Sequence, residues 1–349
     1  MNKAIDRLLR NRVSFLTDAG PGEDIAISSR IRLARNLAGH VFPVAADRAE
    51  LEKIGGRVAA AVRECGALGE DALTLPVNLL GEDDCEILFE RRLVSRDLLS
   101  RGLGAVLCCS ADESAGVMVN EEDHLRIQSM QPGFQLREAW EKIDALDSRL
   151  MEKLDFAFDD KYGFLTSCPT NVGTGMRASV MLHLPGLVMS NQIQAAIQAV
   201  SKLHLAVRGI FGEGTDNRGN LFQISNQSTL GESELQILAR LESVIRQMIA
   251  HEKNARRLLL EKEQFALLDH VGRSYGLLRH AYRLPVDEAL NLLSGLRLGV
   301  DLGMFSSVDI ATVNELFLSI NPAHLRKLTT GEDNLDVARA KLVRERLKK

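Results

Sequence analysis

The chain has 349 residues, 45% of them apolar and 26% charged, and a formal net charge of -4. That length exceeds the size at which one hydrophobic core stops growing, so two domains are expected, and the composition is that of a globular protein. The slight acidity excludes a general nucleic-acid surface, and no apolar run is long enough to cross a membrane. Five cysteines without a CxxC pair indicate neither a disulfide framework nor a zinc knuckle, so a reducing cytoplasm is expected. Residues 1–12 are polar and basic with no apolar segment behind them, which predicts no secretory leader.

Residues 24–36 alternate so that Arg30 and Arg32 share one face of a strand while Ile31 and Leu33 share the other. A helix is expected over residues 47–65, with Asp47 and Glu50 as a capping box. Between residues 85 and 130 the pattern reads as an antiparallel meander. Its strands are expected around Cys85, Ile87 and Phe89, at 105–110, at 117–120 and at 124–130, with the acidic bend Glu121-Glu122-Asp123 before the last. There Arg126 alternates with Leu125 and Ile127, which puts another arginine on the wet face.

Residues 135–154 show helical apolar spacing, and residues 179–184 and 220–226 read as strands. Between them lie a helix at 191–205 and a glycine-rich stretch from Arg208 to Gly219 that carries Glu213 and Asp216. Residues 232–270 are almost all helix formers, residues 306–320 form a second amphipathic helix stopped at Asn321-Pro322, and residues 333–349 form a basic helical tail. The fold class is therefore α+β: an antiparallel sheet with its polar face open and helices on the other, followed by an all-helical region. We set the domains at 1–252 and 253–349.

The wet face gathers Arg30, Arg32, Arg126, Arg177 and Arg208. Five guanidinium groups on one face repel one another unless a polyanion lies among them, and a nucleoside triphosphate suits their bidentate geometry. No Walker or kinase glycine-rich motif is present, so an arginine clamp would replace it. The stretch Cys168-Pro169-Thr170-Asn171-Val172-Gly173-Thr174-Gly175-Met176-Arg177 sets a cysteine and an arginine around two glycines, which are expected to let the turn fit against the nucleotide. Read singly, each feature has a blander account: a buried cysteine, a solvated acidic turn, a structural His124.

Four blocks occur in order: Ser28-Ser29-Arg30-Ile31-Arg32, Asn120-Glu121-Glu122-Asp123-His124-Leu125-Arg126, the Cys168–Arg177 stretch and Ile224-Ser225-Asn226. Together they resemble the signature blocks of the phosphagen kinases, and most closely the bacterial protein-arginine kinases, which share Gln223 where small-molecule members carry aspartate. Only 27 residues precede the first block. The resemblance thus implies that the small lid domain of those members is missing and that a protein side chain can enter.

The resemblance implies that Arg30, Arg32, Arg126, Arg177 and Arg208 bind ATP phosphates, that Glu122 and Glu213 hold the substrate guanidinium, and that Cys168 lies against it as a thiolate. Mg2+ would be held by phosphates and water, with no protein metal ligand. It also implies arginine-bearing protein substrates, marking for a Clp ATPase and protease in the stress response, a zinc-binding activator, a stress-gene repressor and a homodimer built by the C-terminal region. A phosphoarginine site would use Asp336 and Arg339, although Leu335 stands where the family's motif has arginine. Two other readings stay open: a kinase for free arginine or another small guanidine, and a non-catalytic phosphoarginine-binding adaptor.

Overall fold

The computed structural model describes residues 3–209, 218–329 and 334–348. Among the described residues there are ten strands: β1 (Ala26–Arg35), β2 (Leu73–Pro76), β3 (Val106–Cys109), β4 (Ala115–Val119), β5 (Leu125–Pro132), β6 (Phe158–Asp159), β7 (Gly163–Phe164), β8 (Met176–His183), β9 (Leu205–Gly209) and β10 (Leu221–Asn226). Eight form one antiparallel sheet in the order β2-β3-β4-β5-β1-β8-β10-β9, and β6 and β7 make a separate hairpin.

Alternation along β1 decides the two faces. Ile31 and Leu33 enter the main core with Ile127 of β5 and Ala178 of β8. Helices Arg48–Cys65, Leu136–Met151 and Glu234–Lys262 cover that side with their apolar stripes.

The opposite face is not simply open, which corrects the sequence expectation. At one end Leu107, Met118 and Met130 pack with helices Lys3–Arg10 and Glu82–Glu90. At the other, Ile27, Met181 and Leu221 pack with helices Val286–Asp301 and Ile310–Ser319. A register shift between Ala26 and Ser28 breaks the alternation there, so Ile27 joins the cluster on the arginine face.

Several element assignments change. Cys85, Ile87 and Phe89 lie on the helix Glu82–Glu90, not on a strand. Glu82, Asp83 and Asp84 in its first turn complement the helix dipole, and Ile87 and Leu88 lie side by side on its buried stripe. Asp47 caps its helix through the Glu50 amide, but the Glu50 carboxylate turns to His40, so no reciprocal box forms. The long helix expected at 232–270 breaks at Glu263, and Gln264–His280 begins anew. Pro322 ends one helix and starts the next, Pro322–Leu328, at a position that needs no amide proton.

The C-terminal helices join the sheet through buried charge. Arg297 donates to His183 Nδ1 at 3.0 Å and pairs with Asp301 at 3.3 Å, and Asp301 also meets Arg256 at 3.3 Å. Arg256 in turn holds Glu252 at 2.6 Å. Helix Glu234–Lys262 carries Glu252 and Arg256 and runs unbroken through position 252.

Candidate active site

Register places the arginines. Arg32 stands directly across from Arg177 of β8 and from Gln128 of β5, two residues along from Arg126, while Arg208 of β9 faces Gln223 of β10. Because directly opposed residues of an antiparallel sheet share a face, Arg30, Arg32, Arg126, Arg177 and Arg208 all project the same way. Between the two apolar end clusters lies a cavity of about 320 Å³, and Arg30, Arg32, Arg177 and Arg208 line it with Ser28 and Gln223. Arg126 lies on the same face but outside that lining, joined to the acidic bend.

The cavity also holds an arginine that the sequence reading missed, Arg92, which follows helix Glu82–Glu90 and enters from the wall facing the sheet. Burial, reinforced by Arg92, Arg126 and Arg177, holds the Arg30 pKa down to about 9. Arg32 is pushed well below the ordinary arginine value by burial and then by Arg30, Arg126 and Arg177. Burial lowers Arg177 also, and among like charges Arg208 acts on it most strongly. Guanidinium groups do not lose their protons in proteins, so this pressure amounts to a strong local preference for an anion.

The acidic bend is a built structure, not a solvated turn. Asn120 adopts φ 59° and donates its side-chain amide to Leu51 O at 2.7 Å and Gly104 O at 2.8 Å. Glu121 is fully buried and accepts from Arg126 at 2.7 Å and from Ser95. Asp123 accepts from Asn36 and from the Ser167 amide, both at 2.6 Å. His124 takes the Leu37 amide on Nδ1 at 3.0 Å and reaches Val41 O through Nε2 at 3.1 Å, so its ring is structural; burial drops its pKa to about 4.

Between these anchors only Glu122 of the bend remains partly exposed. Its carboxylate lies 3.2 Å from Arg126 Nη2, and the Cys168 thiol is among the groups that favour its charged form. Burial raises its pKa, against the pull of Arg126. Cys168 is half-buried and 3.0 Å from the Thr170 hydroxyl. Carboxylate, thiol and the edge of the arginine row thus meet at one point.

The glycines of the loop do another job than expected. A Cβ on Gly173 would stand 2.3 Å from Thr229 O, and one on Gly175 would stand 2.6 Å from Ala34 O. They let the loop close on its own protein, at φ 110° and 65°. Glu213 and Asp216 lie outside the described residues. In the C-terminal region Arg339 is 2% exposed and donates to Leu284 O at 2.6 Å, Ile320 O at 2.8 Å and Asp336 at 2.8 Å. Among the described residues no group of three His, Cys, Asp or Glu side chains is placed to hold a metal.

A sheet that aims a row of arginines into one cavity and ends it at a carboxylate defines a phosphotransferase site. Residues 53–255 match the family model described as ATP:guanido phosphotransferase, C-terminal catalytic domain, and residues 264–349 match the one described as protein-arginine kinase McsB C-terminal domain. The chain is 45% identical over 345 residues to the protein-arginine kinase of Halothermothrix orenii, covering 98% of both chains. It is 44% identical over 342 residues to that of Pelotomaculum thermopropionicum, covering 96% of both. Among solved structures, the duplicated taurocyamine kinase from Schistosoma mansoni with bound transition state analog components aligns at a TM-score of 0.61 and 29% identity. That match spans 70% of this chain and 35% of the longer one. Lombricine kinase shares the fold at a TM-score of 0.57 and 23% identity, over 70% of each chain. The chain belongs to the ATP:guanido phosphotransferase family, and within it to the protein-arginine kinases.

Proposed function

We propose that this protein transfers the γ-phosphoryl group of ATP to arginine side chains of proteins. The observation that carries the proposal is the meeting of Glu122, Cys168 and Arg126 at the end of a five-arginine face. Relatives named protein-arginine kinase, matched along nearly the whole chain, support the acceptor assignment.

A guanidinium is a poor nucleophile, because freeing a lone pair at neutral pH costs about 8 kcal/mol for a pKa some six units above 7. Glu122 takes the proton as the guanidino nitrogen attacks the γ-phosphorus. The bond from that phosphorus to the bridging oxygen breaks, and its electrons leave with ADP. Burial suits Glu122 to this work by bringing its pKa up toward that of a useful base. Glu213 would fix the planar group with a second carboxylate, and Cys168 would bear on it from the side. Arg30, Arg32, Arg126, Arg177 and Arg208 neutralise charge on the phosphates, where most catalysis of phosphoryl transfer resides. Mg2+ would arrive with the nucleotide and add to that neutralisation.

The wider role is part of the same proposal: a cytoplasmic homodimer whose product marks proteins for Clp-type degradation under stress, with an activator protein. Residues 1–252 would carry catalysis and 253–349 dimerisation and regulation, with Asp336 and Arg339 as the candidate phosphoarginine contacts. The test is to incubate the protein with ATP and either an arginine-rich protein or free arginine, and to seek acid-labile phosphate on arginine by mass spectrometry. Phosphorylated protein is the expected result. Turnover of free arginine alone would overturn the acceptor assignment, and no turnover with either would favour a binding adaptor.

A further inference from the structure

We propose that the open groove between the β6–β7 hairpin and residues 229–234 holds the part of a protein acceptor that flanks its target arginine. The occupant is an extended stretch with an aromatic or aliphatic side chain and no net negative charge. The inference deepens the function proposed above and rests on its reading of Glu122 and Cys168 as the acceptor end of the site.

Apolar exposure is the first ground. Phe158, Tyr162 and Leu230 are 56%, 46% and 54% exposed, and all three line this one groove with Gly173, Thr174 and Thr229. Surface apolar side chains scattered singly are ordinary, whereas three gathered in one concave place mark a surface that binds another molecule. The groove is also braced. Phe158 stands edge-on to Phe164 with ring centroids 5.2 Å apart, and the buried Arg35 guanidinium lies 3.5 Å from the centre of the Phe164 ring. Asp147 fixes Arg35 in turn at 2.7 Å, so the aromatic wall is tied to the core and loses little freedom on binding.

The second ground is continuity with the acceptor end of the site. Cys168 lies 3.0 Å from the hydroxyl of Thr170, an exposed residue, and Thr229 donates its own hydroxyl to Thr170 O at 2.9 Å and Val172 O at 2.7 Å. Phe164 and Gly173 exchange backbone hydrogen bonds at 2.8 and 3.3 Å, so the loop that begins at Cys168 ends in the groove. The stretch from Cys168 to Gly173 spans at most about 18 Å of chain. An extended acceptor whose arginine reaches Glu122 therefore lays a side chain in the groove within about five residues of that arginine.

Charge is the third ground. Residues 155–164 carry Asp155, Asp159 and Asp160 against Lys161 alone. On the other bank Glu232 is matched by Arg240 at 2.7 Å, while Glu234 has no cationic partner among the described residues. These surroundings favour a basic, arginine-bearing chain and disfavour an acidic one.

The test uses the full chain and short fluorescein-labelled peptides with one central arginine in a glycine, serine and lysine background. A single leucine is moved stepwise away from the arginine on either side. Binding is read by fluorescence anisotropy without ATP, and transfer by mass spectrometry of acid-labile phosphate. Partial burial of the leucine predicts that the best-placed peptide binds about tenfold more tightly than its serine counterpart, with a like preference in kcat/KM. Glutamate in place of the background lysines should weaken binding, and tighter binding would overturn the stated charge of the occupant. Phe158→Ser and Leu230→Ser, each first checked for an unchanged thermal melt, should bring the leucine preference close to one. Equal binding of leucine and serine peptides by the wild type overturns the proposal, and so does a preference that survives both substitutions. A changed molecular mass of Phe158→Ser in light scattering, with the preference intact, assigns the groove to a second copy of the chain and overturns it too. Binding is scored apart from transfer, so the two readings fail separately. Leucine-dependent binding with no transfer to any peptide would overturn only the function proposed above, and transfer without leucine preference would overturn only the groove.

Discussion

At the scale of single residues, the acidic bend separates groups of similar chemistry by what surrounds them. Glu121 and Asp123 are buried and consumed by Arg126, Ser95, Asn36 and the Ser167 amide, while Glu122 stays partly exposed beside Arg126. Glu122→Gln should lower kcat by about 10²–10⁴-fold, with ATP affinity changed less than about twofold. Calorimetry of ATP binding beside steady-state kinetics checks this, and near-normal turnover would move the base elsewhere. The base must be ionised, so activity should fall as pH drops through the Glu122 pKa. Burial places that acid limb above the ordinary value of 4.5. The neighbouring His124 affects stability instead. Its pKa is lowered from 6.5 to about 4, so the unfolded chain takes up a proton that the folded chain refuses. The stability this represents is present above pH 6.5 and lost as pH falls toward 4. Asp301, raised from 3.8 to about 6, acts with the opposite sign, since its share is present at low pH and lost as pH rises through about 6. Only a difference between variants isolates the histidine. His124→Asn keeps an acceptor for the Leu37 amide, and its denaturation free energy should fall less steeply than wild type between pH 6.5 and 4; parallel curves would remove His124 from the account.

At the scale of elements, the loop from Cys168 to Arg177 shows what patterning reveals and what it hides. Strand alternation made β1, β5 and β8 legible, because each buries one face and a one-residue slip would bury arginine. The direction of Arg30, Arg32 and Arg126 followed from that alone, whereas Arg177 and Arg208 fell outside the strands read from the pattern and are placed by β8 and β9. The purpose of Gly173 and Gly175 did not, since their close neighbours are Thr229 and Ala34, distant in sequence. Gly175→Ala should cost at least about 2 kcal/mol, from the contact with Ala34 O and from a positive φ. Urea denaturation measures this, and a neutral substitution would mean that the loop can retreat from β1. The segment Cys85–Phe89 failed for a different reason. Five residues of mixed apolar and acidic type fit either period, and the helix is decided by burial of both Ile87 and Leu88 against a terminal cluster that sequence does not display. Arg92 escaped notice with it, because a residue just after a misassigned strand has no assigned face. The helix Val286–Asp301 was missed because it is buried on most sides, with polar Ser294 and Arg297 inside as well as its leucines, so no single apolar stripe marks it.

At the scale of the whole molecule, the C-terminal helices are part of the cavity and not an appendage. Asn314, Phe317, Leu318 and Asn321 line it together with the arginines. Beside the apolar packing, two polar clusters help to hold them there. One is the buried charge network, in which Asp301→Ala would leave Arg256 and Arg297 short of a carboxylate and should cost about 3–5 kcal/mol in denaturant titration. The other joins helix Glu82–Glu90 to Pro322–Leu328, where Glu90 accepts from the Ala323 amide at 2.8 Å, the His324 amide at 3.0 Å and His324 Nδ1 at 2.6 Å. Asp83 and Asp84 reinforce it through Arg326 and Lys327. Glu90 stands two residues before Arg92, so whatever shifts the Pro322–Leu328 helix shifts the wall that faces the phosphate-binding row. Glu90→Ala removes three hydrogen bonds from one side of that wall and leaves the strands untouched. The expected signature is selective: the KM for ATP rises several-fold, about the worth of one charged hydrogen bond, while the KM for an arginine-bearing acceptor stays near wild type. An equal rise in both constants would mean general loosening of the fold, and no rise in either would mean that the C-terminal helices support the cavity without setting its affinity.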